Sequence, residues 1–90
     1  MNIRYEWDED KRRETLEDRV LDFADIETLF EWDTAIIIPS DRNDEPRWVA
    51  YGYFSTRLHV VVYARRGAMG EIRRIISFRP ASQKEVNQYG

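Results

Sequence analysis

The fold is decided by residues 57–66, which read Arg-Leu-His-Val-Val-Val-Tyr-Ala-Arg-Arg. Branched and aromatic side chains favour extended backbone, because they pack well on a pleated surface. The run is bounded by Ser55-Thr56 before it and Gly67 after it, which are typical of turns. It therefore predicts a β-strand, and the neighbouring segments show what that strand pairs with.

Two further predicted strands flank this run. Residues 47–54 and 71–79 are also rich in Val, Ile and aromatic residues. Only Ser55-Thr56 separates the first strand from the second, which predicts a tight antiparallel hairpin. Residues 67–70, Gly-Ala-Met-Gly, connect the second strand to the third. The three segments together predict an antiparallel sheet.

The N-terminal segment combines a short strand with two helices. Residues 3–7 are β-prone, and Asp8 is a typical N-cap for a helix over about 8–18, with acids in its first turn and bases after it. Apolar residues at helical spacing predict a second helix over 22–33. These residues are Phe23, Ile26, Leu29 and Phe30. The first predicted helix has one large apolar residue, Leu16, and is therefore expected to lie mostly exposed.

One more strand and one more helix complete the prediction. Residues 34–38 predict a strand closed by Pro39, and a polar loop follows over 40–46. Ser82-Gln83-Lys84-Glu85 is a capping box, which predicts a short C-terminal helix to about Tyr89. The order βααββββα is an α+β fold with both N-terminal helices on one face of an antiparallel sheet. We expect a single domain over residues 1–90.

Composition excludes several classes of site. The 90 residues contain no cysteine, which excludes disulfides, thiol catalysis and thiolate metal sites, and one histidine cannot form a histidine-cluster zinc site. The four glycines are not spaced as a phosphate-binding loop requires. No metal and no cofactor is therefore expected. No apolar run approaches about 18 residues and no signal-peptide layout is seen, so we expect a cytoplasmic protein without a membrane partner.

The net charge of −3 hides an asymmetry between the two halves. Residues 1–45 hold six basic and fifteen acidic residues, a balance of −9, whereas residues 46–90 hold eight and two, a balance of +6. Twelve of the fourteen basic residues are Arg, whose planar fork matches phosphate and stacks on bases. The basic half can attract phosphate locally, and the alternative is that its arginines only cover solvated faces.

Strand alternation predicts which side chains share a face. With Leu58, Val60, Val62 and Ala64 towards the helices, the opposite face carries Arg47, Tyr51, Tyr53, Arg57, His59, Tyr63, Arg65, Arg73, Ser77 and Arg79. Arginine interleaved with aromatic rings is typical of sheets that bind RNA. The RNA-binding candidates are Arg47, Tyr53, Arg57, Tyr63, Arg65 and Arg73. The alternative is a solvated face with cross-strand Tyr–Arg pairs. His59 is a residue type that can serve in acid–base chemistry, but we expect it to be a surface histidine.

Several motifs resemble those of the BrnT family of bacterial type II toxins. They are Tyr5-Glu6-Trp7-Asp8 with Lys11, Asp44-Glu45-Pro46-Arg47-Trp48 with Gly52, Val60-Val61-Val62-Tyr63, Arg66-Gly67, Arg74-Ile75-Ile76-Ser77-Phe78-Arg79, Ala81, Glu85 and Tyr89. The resemblance implies a RelE-like fold and an endoribonuclease that cuts RNA without a metal and so inhibits translation. It also implies a BrnA-like ribbon-helix-helix antitoxin as partner, with operator DNA reached only through that antitoxin.

The resemblance also implies catalytic residues. Arg66, Arg74 and Arg79 match arginines of the family, and paired hydrogen bonds from arginine can stabilise the charge of a phosphorane. Glu85 and Tyr89 are the acid–base candidates, although capping and C-terminal packing also explain them. Because Arg74 and Arg79 are five residues apart, a regular strand points them to opposite faces. They share a site only if the strand bulges or ends between them.

The chain departs from the family pattern between its first two predicted helices. Asp18-Arg19-Val20 stands where the family usually has Lys-His-Gly. If the missing histidine acts in acid–base chemistry, this protein is slow or inactive; if it only orders the helix turn, its loss matters little. The alternative to an active toxin is a catalytically degenerate relative that binds the antitoxin and regulates the operon.

Overall fold

A computed structural model describes residues 2–40 and 45–90 of the chain. Five strands form one sheet in the order β1-β5-β4-β3-β2. They are β1 (Arg4–Trp7), β2 (Ile36–Ser40), β3 (Arg47–Phe54), β4 (Arg57–Arg66) and β5 (Ile72–Pro80). The sheet is antiparallel except at its edge, where β1 runs parallel to β5. The predicted α+β fold is therefore confirmed, with β1 as a parallel addition.

Three α-helices accompany the sheet: α1 (Glu9–Arg19), α2 (Ile26–Leu29) and α3 (Gln83–Tyr89). The second predicted helix is shorter than expected, because 3₁₀ turns occupy Phe23–Asp25 and Trp32–Thr34 on either side of α2. Among residues 2–40 and 45–90, no helix has the length and apolar character needed to cross a bilayer.

The local signals in the sequence explain how several elements begin and turn. Asp8 caps α1 by accepting hydrogen bonds from the backbone N–H groups of Asp10 and Lys11, and Ser82 and Glu85 form the predicted capping box of α3. The hairpin at Ser55-Thr56 has positive φ at both residues, as tight two-residue turns require. Strand β2 starts and ends two residues later than predicted and includes Pro39, which is tolerated because β2 is an edge strand. Residues 41–44 of the predicted polar loop lie outside the described residues.

The main core lies between the 21–34 segment and one face of the sheet, which we call the helix face. Phe23, Ile26 and Phe30 from that segment pack against sheet residues. The buried sheet residues of this cluster are Ala50, Val61, Tyr63, Ile75 and Phe78. Helix α1 contributes no buried side chain, as its sequence predicted. It is anchored by the ion pair between Arg12 and Asp22, with Nε and Oδ1 2.7 Å apart.

The predicted assignment of β4 to the two faces is wrong. The helix face carries Val61 and Tyr63, whereas Leu58 and Val60 lie on the opposite face, which we call the groove face. Helix α3 packs there through Tyr89 and covers part of that face. Val60 and Val61 are both fully buried, so the run offers no polar–apolar alternation from which the inner face can be read.

Strand β5 contains a bulge that changes which side chains it presents. Val62 pairs with Ser77 and Tyr63 pairs with Ile75, so Ile76 is an extra residue opposite β4. An extra residue reverses the alternation beyond it. Arg74 and Arg79 therefore point to the same face, although they are five residues apart, and the bulge required for a shared site is confirmed.

Candidate active site

Cross-strand pairing orders the groove face into rows of side chains. From the α3 end, the first two rows are Tyr51–Val60–Arg79 and Val49–Val62–Ser77. The third row contains the pair Ala64–Arg74, with Arg47 on the same face by alternation along β3 and in the same cavity as Arg74. The first and third rows contain arginines, and the row between them is apolar except for Ser77. The aliphatic side chains of this central row, together with Ile38 on β2 and the bulged Ile76, are called the apolar row below. The described residues form one cavity towards each polar row on this face.

The first cavity has a volume of about 520 Å³ and lies between the sheet and α3. We call it the α3 cavity. Its polar lining includes Arg79 from β5, Tyr51 from β3, and Glu85 and Tyr89 from α3. Three of these side chains, Arg79, Glu85 and Tyr89, are sequence-predicted catalytic candidates, and the fold brings them together.

Arg79 and Glu85 form a two-pronged ion pair in the α3 cavity. Arg79 Nη1 donates to Glu85 Oε1 at 2.8 Å, and Nη2 donates to Oε2 at 2.9 Å. The hydrogen bonds from Arg79 lower the pKa of Glu85 from its ordinary 4.5 to about 2, and the Ser82 backbone N–H contributes to the same shift. The same hydrogen bonds raise the pKa of Arg79. Both groups are therefore charged at neutral pH.

Two tyrosines stack beside this ion pair. The rings of Tyr51 and Tyr89 are 4.0 Å apart between centroids and 17° from parallel. Burial raises the pKa of Tyr51, and the nearby Tyr89 and Glu85 raise it further. The Tyr51 phenol therefore keeps its proton at neutral pH and can act as a hydrogen-bond or proton donor. Strand alternation predicted Tyr51 on an aromatic sheet face, but no local feature of the sequence marks it as catalytic, since only the fold brings it next to Glu85.

The second cavity has a volume of about 220 Å³ and adjoins the first, with Arg47 and Ile76 lining both. We call it the basic cavity. It is lined by four cationic side chains, Lys11, Arg47, Arg66 and Arg74, and by the carboxylates of Asp8 and Glu45. Every one of these six residues belongs to a motif quoted for the family resemblance. Asp44, from the same motifs, lies outside the described residues.

The arginines of the basic cavity keep unused hydrogen-bond donors. Arg66 pairs with Glu45 through Nη2, and Arg74 pairs with Glu6 through Nη1 at 3.2 Å. The Arg47 Nε is buried and has no hydrogen-bond partner among the described residues. A guanidinium offers five donors, so Arg66 and Arg74 can each bind an anion in addition to their carboxylates.

Four of the six predicted RNA-binding residues lie on the helix face, so the predicted common face is wrong. They are Arg57, Tyr63, Arg65 and Arg73, whereas Arg47 and Tyr53 are on the groove face. Tyr63 is fully buried in the main core. Tyr53 is exposed but lies outside both cavities.

The arginines of the helix face stack on the protein's own rings. The Arg65 guanidinium lies 4.0 Å from the centre of the Trp48 ring, and that of Arg73 lies 3.9 Å from the centre of the Trp32 ring. Arg73 also donates to the Tyr5 hydroxyl at 2.8 Å. Both tryptophans pack against the main core, so these arginines stack on the protein's own rings and do not form the RNA-binding face that the sequence predicted.

His59 is buried rather than on the surface. It is 5% exposed, and its ring packs edge-on against Phe54 and contacts Phe78. Its Nδ1 lies 2.8 Å from the backbone oxygen of Arg57. The expectation of a surface histidine was wrong because His59 shares the helix face with Phe54 and Phe78 and lies in neither cavity.

The segment that departs from the family pattern lies outside both cavities. Arg19 Nη1 donates to the backbone oxygen of Phe78 at 3.1 Å and so ties the end of α1 to β5. Val20 adopts the left-handed conformation that ends α1, with φ 57°, where glycine is the usual residue. Asp18, Arg19 and Val20 therefore belong to the end of the helix and its attachment to the sheet.

Comparison with known protein families agrees with the motifs gathered on the groove face. Residues 7–85 match the family model described as the ribonuclease toxin BrnT of type II toxin–antitoxin systems. No curated protein matches the chain. Among the described residues, no three His, Asp or Glu side chains are grouped as a metal site would require. The family match spans both cavities up to Glu85, and the chain belongs to the BrnT family of ribonuclease toxins, which act with an antitoxin partner.

Proposed function

We propose that this protein is an endoribonuclease toxin that cuts RNA without a metal and so inhibits translation, with the α3 cavity as its active centre. The observation that carries the proposal is the convergence of Arg79, Glu85, Tyr51 and Tyr89 on one cavity. These side chains supply a cationic fork, a carboxylate and two phenols. RNA cleavage needs the same three functions: stabilisation of the phosphorane charge, a base for the 2′-hydroxyl and a donor for the leaving oxygen.

Arg79 is the group proposed to bind the scissile phosphate. Its guanidinium is oriented by two hydrogen bonds to Glu85, and its side chain remains 37% exposed. A phosphate can therefore reach it from the cavity and take over part of the fork. Two charge-assisted bonds to the equatorial oxygens would strengthen as negative charge develops in the transition state.

Glu85 and Tyr51 are the groups proposed to move protons. When a phosphate shares Arg79, Glu85 loses part of the interaction that holds its pKa near 2, so its basicity rises as substrate binds. Glu85 then accepts the proton of the 2′-hydroxyl as the 2′-oxygen attacks phosphorus. The bond from phosphorus to the 5′-oxygen breaks, and the Tyr51 phenol protonates that oxygen. The products are a 2′,3′-cyclic phosphate and a 5′-hydroxyl, and Tyr89 positions Tyr51 by stacking.

The position of residues 18–20 supports an active enzyme over a degenerate one. Asp18, Arg19 and Val20 line neither cavity. Arg19 donates to the backbone oxygen of Phe78 on the sheet and, among the described residues, contacts no group of the α3 cavity. The catalytically degenerate alternative, a module that only binds the antitoxin, remains the outcome expected if the protein neither arrests growth nor cuts RNA.

The test compares the parent protein with Arg79→Ala and with Arg13→Ala as a matched control. Arg13 lies on the exposed surface of α1 and pairs only with Asp10 among the described residues. We expect the parent and Arg13→Ala to arrest growth on induction and to cut purified RNA in the presence of a chelator. Arg79→Ala should do neither while keeping its fold. RNA cleavage by a folded Arg79→Ala protein at the parent rate would contradict the proposed centre.

The proposed partner is a BrnA-like ribbon-helix-helix antitoxin in the cytoplasm, which links the toxin to operator DNA. The groove face combines the arginines of both cavities with an apolar row, and an acidic amphipathic segment would complement it. Such a segment would exclude RNA, and its association should weaken as salt rises. A complex in which the antitoxin touches only residues 8–33 would contradict this arrangement.

A further inference from the structure

The basic cavity adjoins the proposed reaction centre, and its lining has the cationic side chains of an anion-binding site. Lys11, Arg47, Arg66 and Arg74 outnumber the two carboxylates that line the cavity with them. Its four cations come from α1, β3, β4 and β5, so the fold itself assembles them. The proposed cleavage step uses none of these four cations, so it does not explain why they lie together.

The two polar rows are too far apart to act as one compact site. Arg79 is opposite Val60 and Arg74 is opposite Ala64, four residues away along β4. At about 3.3 Å per residue, the rows are about 13 Å apart. The carboxylates that orient them also lie in different places, since Glu85 is on α3 and Glu6 is on β1. One phosphate bound at Arg79 therefore leaves the basic cavity unfilled.

The apolar row connects the two polar rows. Val49, Val62 and Ile76 line the space between Arg79 and Arg74, and Val62 is only partly buried. Apolar side chains can pack on the faces of unstacked bases, and packing of this kind needs no sequence preference because every base has a flat face. A single strand of RNA can therefore lie across the apolar row, with its phosphates at the polar rows on either side.

We infer that the basic cavity is a second phosphate subsite, with the apolar row as a base platform, so that the protein selects single-stranded RNA extending beyond the cleaved bond. This inference rests on the proposed function, because it takes the α3 cavity as the place of cleavage. Arg47 lines both cavities and carries a buried Nε without a partner among the described residues. Arg47 therefore lies where an RNA strand that passes from one subsite to the other would contact it.

The experiment measures binding separately from cleavage. Deoxy strands of two and six nucleotides, which lack the 2′-hydroxyl and cannot be cut by the proposed chemistry, compete for the protein with a fluorescently labelled strand. The parent should bind the six-nucleotide strand at least tenfold more tightly than the two-nucleotide strand. Arg74→Ala and Arg66→Ala should reduce that preference to about twofold or less. Each lost phosphate contact should also reduce the salt dependence of six-nucleotide binding by about 0.7 in log–log slope.

Control variants separate this inference from general loss of charge. Arg13→Ala should keep the full preference for the longer strand, and Arg79→Ala should weaken binding of both strands. An equal loss on both strands in Arg74→Ala would move Arg74 to the cleaved phosphate and overturn the inference. An unchanged preference in both Arg66→Ala and Arg74→Ala would overturn it as well.

The proposed function can fail independently of this inference. A parent protein that binds with the expected length preference but cuts no RNA would contradict the cleavage proposal and leave the second subsite standing. A parent protein that cuts RNA without any length preference would do the reverse.

Discussion

The two faces of the sheet use the same residue types for different purposes. On the helix face, Arg65 and Arg73 stack on Trp48 and Trp32, so their guanidinium groups contribute to packing. On the groove face, Arg79 and Arg74 are held by carboxylates at the borders of cavities. A stacked guanidinium has its flat surface covered, whereas an ion-paired one keeps free donors directed to the solvent. The contacts of each arginine therefore separate those that pack on the core from those proposed to bind RNA.

Adjacent valines on β4 give the sharpest test of this difference. Val61 is fully buried on the helix face, and its neighbour Val62 lies partly exposed on the groove face. Val61→Asp leaves an unpaired charge in the core and should cost about 3–5 kcal/mol of folding free energy. Val62→Asp should cost only about 1 kcal/mol, but its negative charge should weaken RNA binding.

Denaturant unfolding and RNA binding measure the two effects separately. If Val61→Asp does not fold, Val61→Ala provides the measurable version, with an expected loss of about 2 kcal/mol and unchanged RNA affinity at low temperature. Equal stability losses for Val61→Asp and Val62→Asp would contradict the assignment of Val61 to the core and Val62 to the groove face.

The next prediction concerns the fork of Arg79. Arg79→Lys keeps the positive charge but cannot donate two parallel hydrogen bonds, so RNA cleavage should fall by about 100-fold, close to the loss expected for one positioned donor. Arg73→Lys is the matched change on the helix face. It should lower stability through lost stacking on Trp32 and leave the cleavage rate per folded molecule near that of the parent. Cleavage kinetics at a temperature where all proteins are folded distinguish the two.

Local signals in the sequence predicted the elements well, because each depends on a few neighbouring residues. The N-cap at Asp8, the turn at Ser55-Thr56 and the capping box at Ser82 and Glu85 are of this kind. The helical spacing of Phe23, Ile26 and Phe30 correctly predicted a face that packs on the sheet. The 3₁₀ turns around that segment were not predicted, since periodicity alone does not separate them from an α-helix.

The assignment of side chains to faces could not be predicted, because it depends on packing across the sheet. Strand β4 is apolar on both faces, so its pattern is compatible with either orientation. The bulge at Ile76 depends on pairing with β4 and has no local signature. Arg66, Arg74 and Arg79, which belong to the family motifs, lie along the groove face. Four predicted RNA-binding residues were assigned to the wrong face, because a polar side chain alone does not show which face of the sheet it occupies; they are Arg57, Tyr63, Arg65 and Arg73.

The ion pair on the groove face predicts an acid-dependent stability. Because Arg79 lowers the pKa of Glu85 from 4.5 to about 2 in the folded protein, the ionised carboxylate stabilises the fold fully above about pH 4.5. That stabilisation is lost as the pH falls towards 2, where the folded state must also take up the proton. Since Arg79 is 37% exposed, solvent screening limits the contribution to about 1 kcal/mol.

Glu85→Gln isolates the charge from the cap. Glutamine can still accept the hydrogen bond from the Ser82 backbone N–H that closes the capping box, but it cannot form the ion pair. The variant should be less stable than the parent at pH 7, and the difference should shrink between pH 4.5 and 2. Thermal unfolding across this range provides the measurement, and a constant difference would mean that the pair does not contribute.

No effect on RNA cleavage and only a small effect on stability are expected at the end of α1, which lines neither cavity. Val20 holds φ 57° and is 83% exposed, so the strain of a branched side chain in the left-handed region is not offset by packing. Left-handed backbone costs residues other than glycine about 1–2 kcal/mol, and glycine loses part of that advantage through its larger entropy in the unfolded chain. Val20→Gly should therefore raise stability by about 1 kcal/mol, which corresponds to about 4–8 °C in melting temperature for a domain of this size.

The matched change is Glu14→Gly in the middle of α1, which should lower stability by about 1 kcal/mol because its backbone is helical. Neither change should alter the rate of RNA cleavage, since neither residue lines a cavity. Restoring Asp18 and Arg19 to the family's Lys and His in the Val20→Gly background extends the test to the whole segment. A large gain in cleavage on that restoration would show that the family's Lys-His-Gly segment acts at the reaction centre. The hydrogen bond from Arg19 to the Phe78 backbone and the strained backbone of Val20 indicate that this segment supports β5 structurally and takes no part in RNA cleavage. We therefore expect a gain in melting temperature without a gain in cleavage.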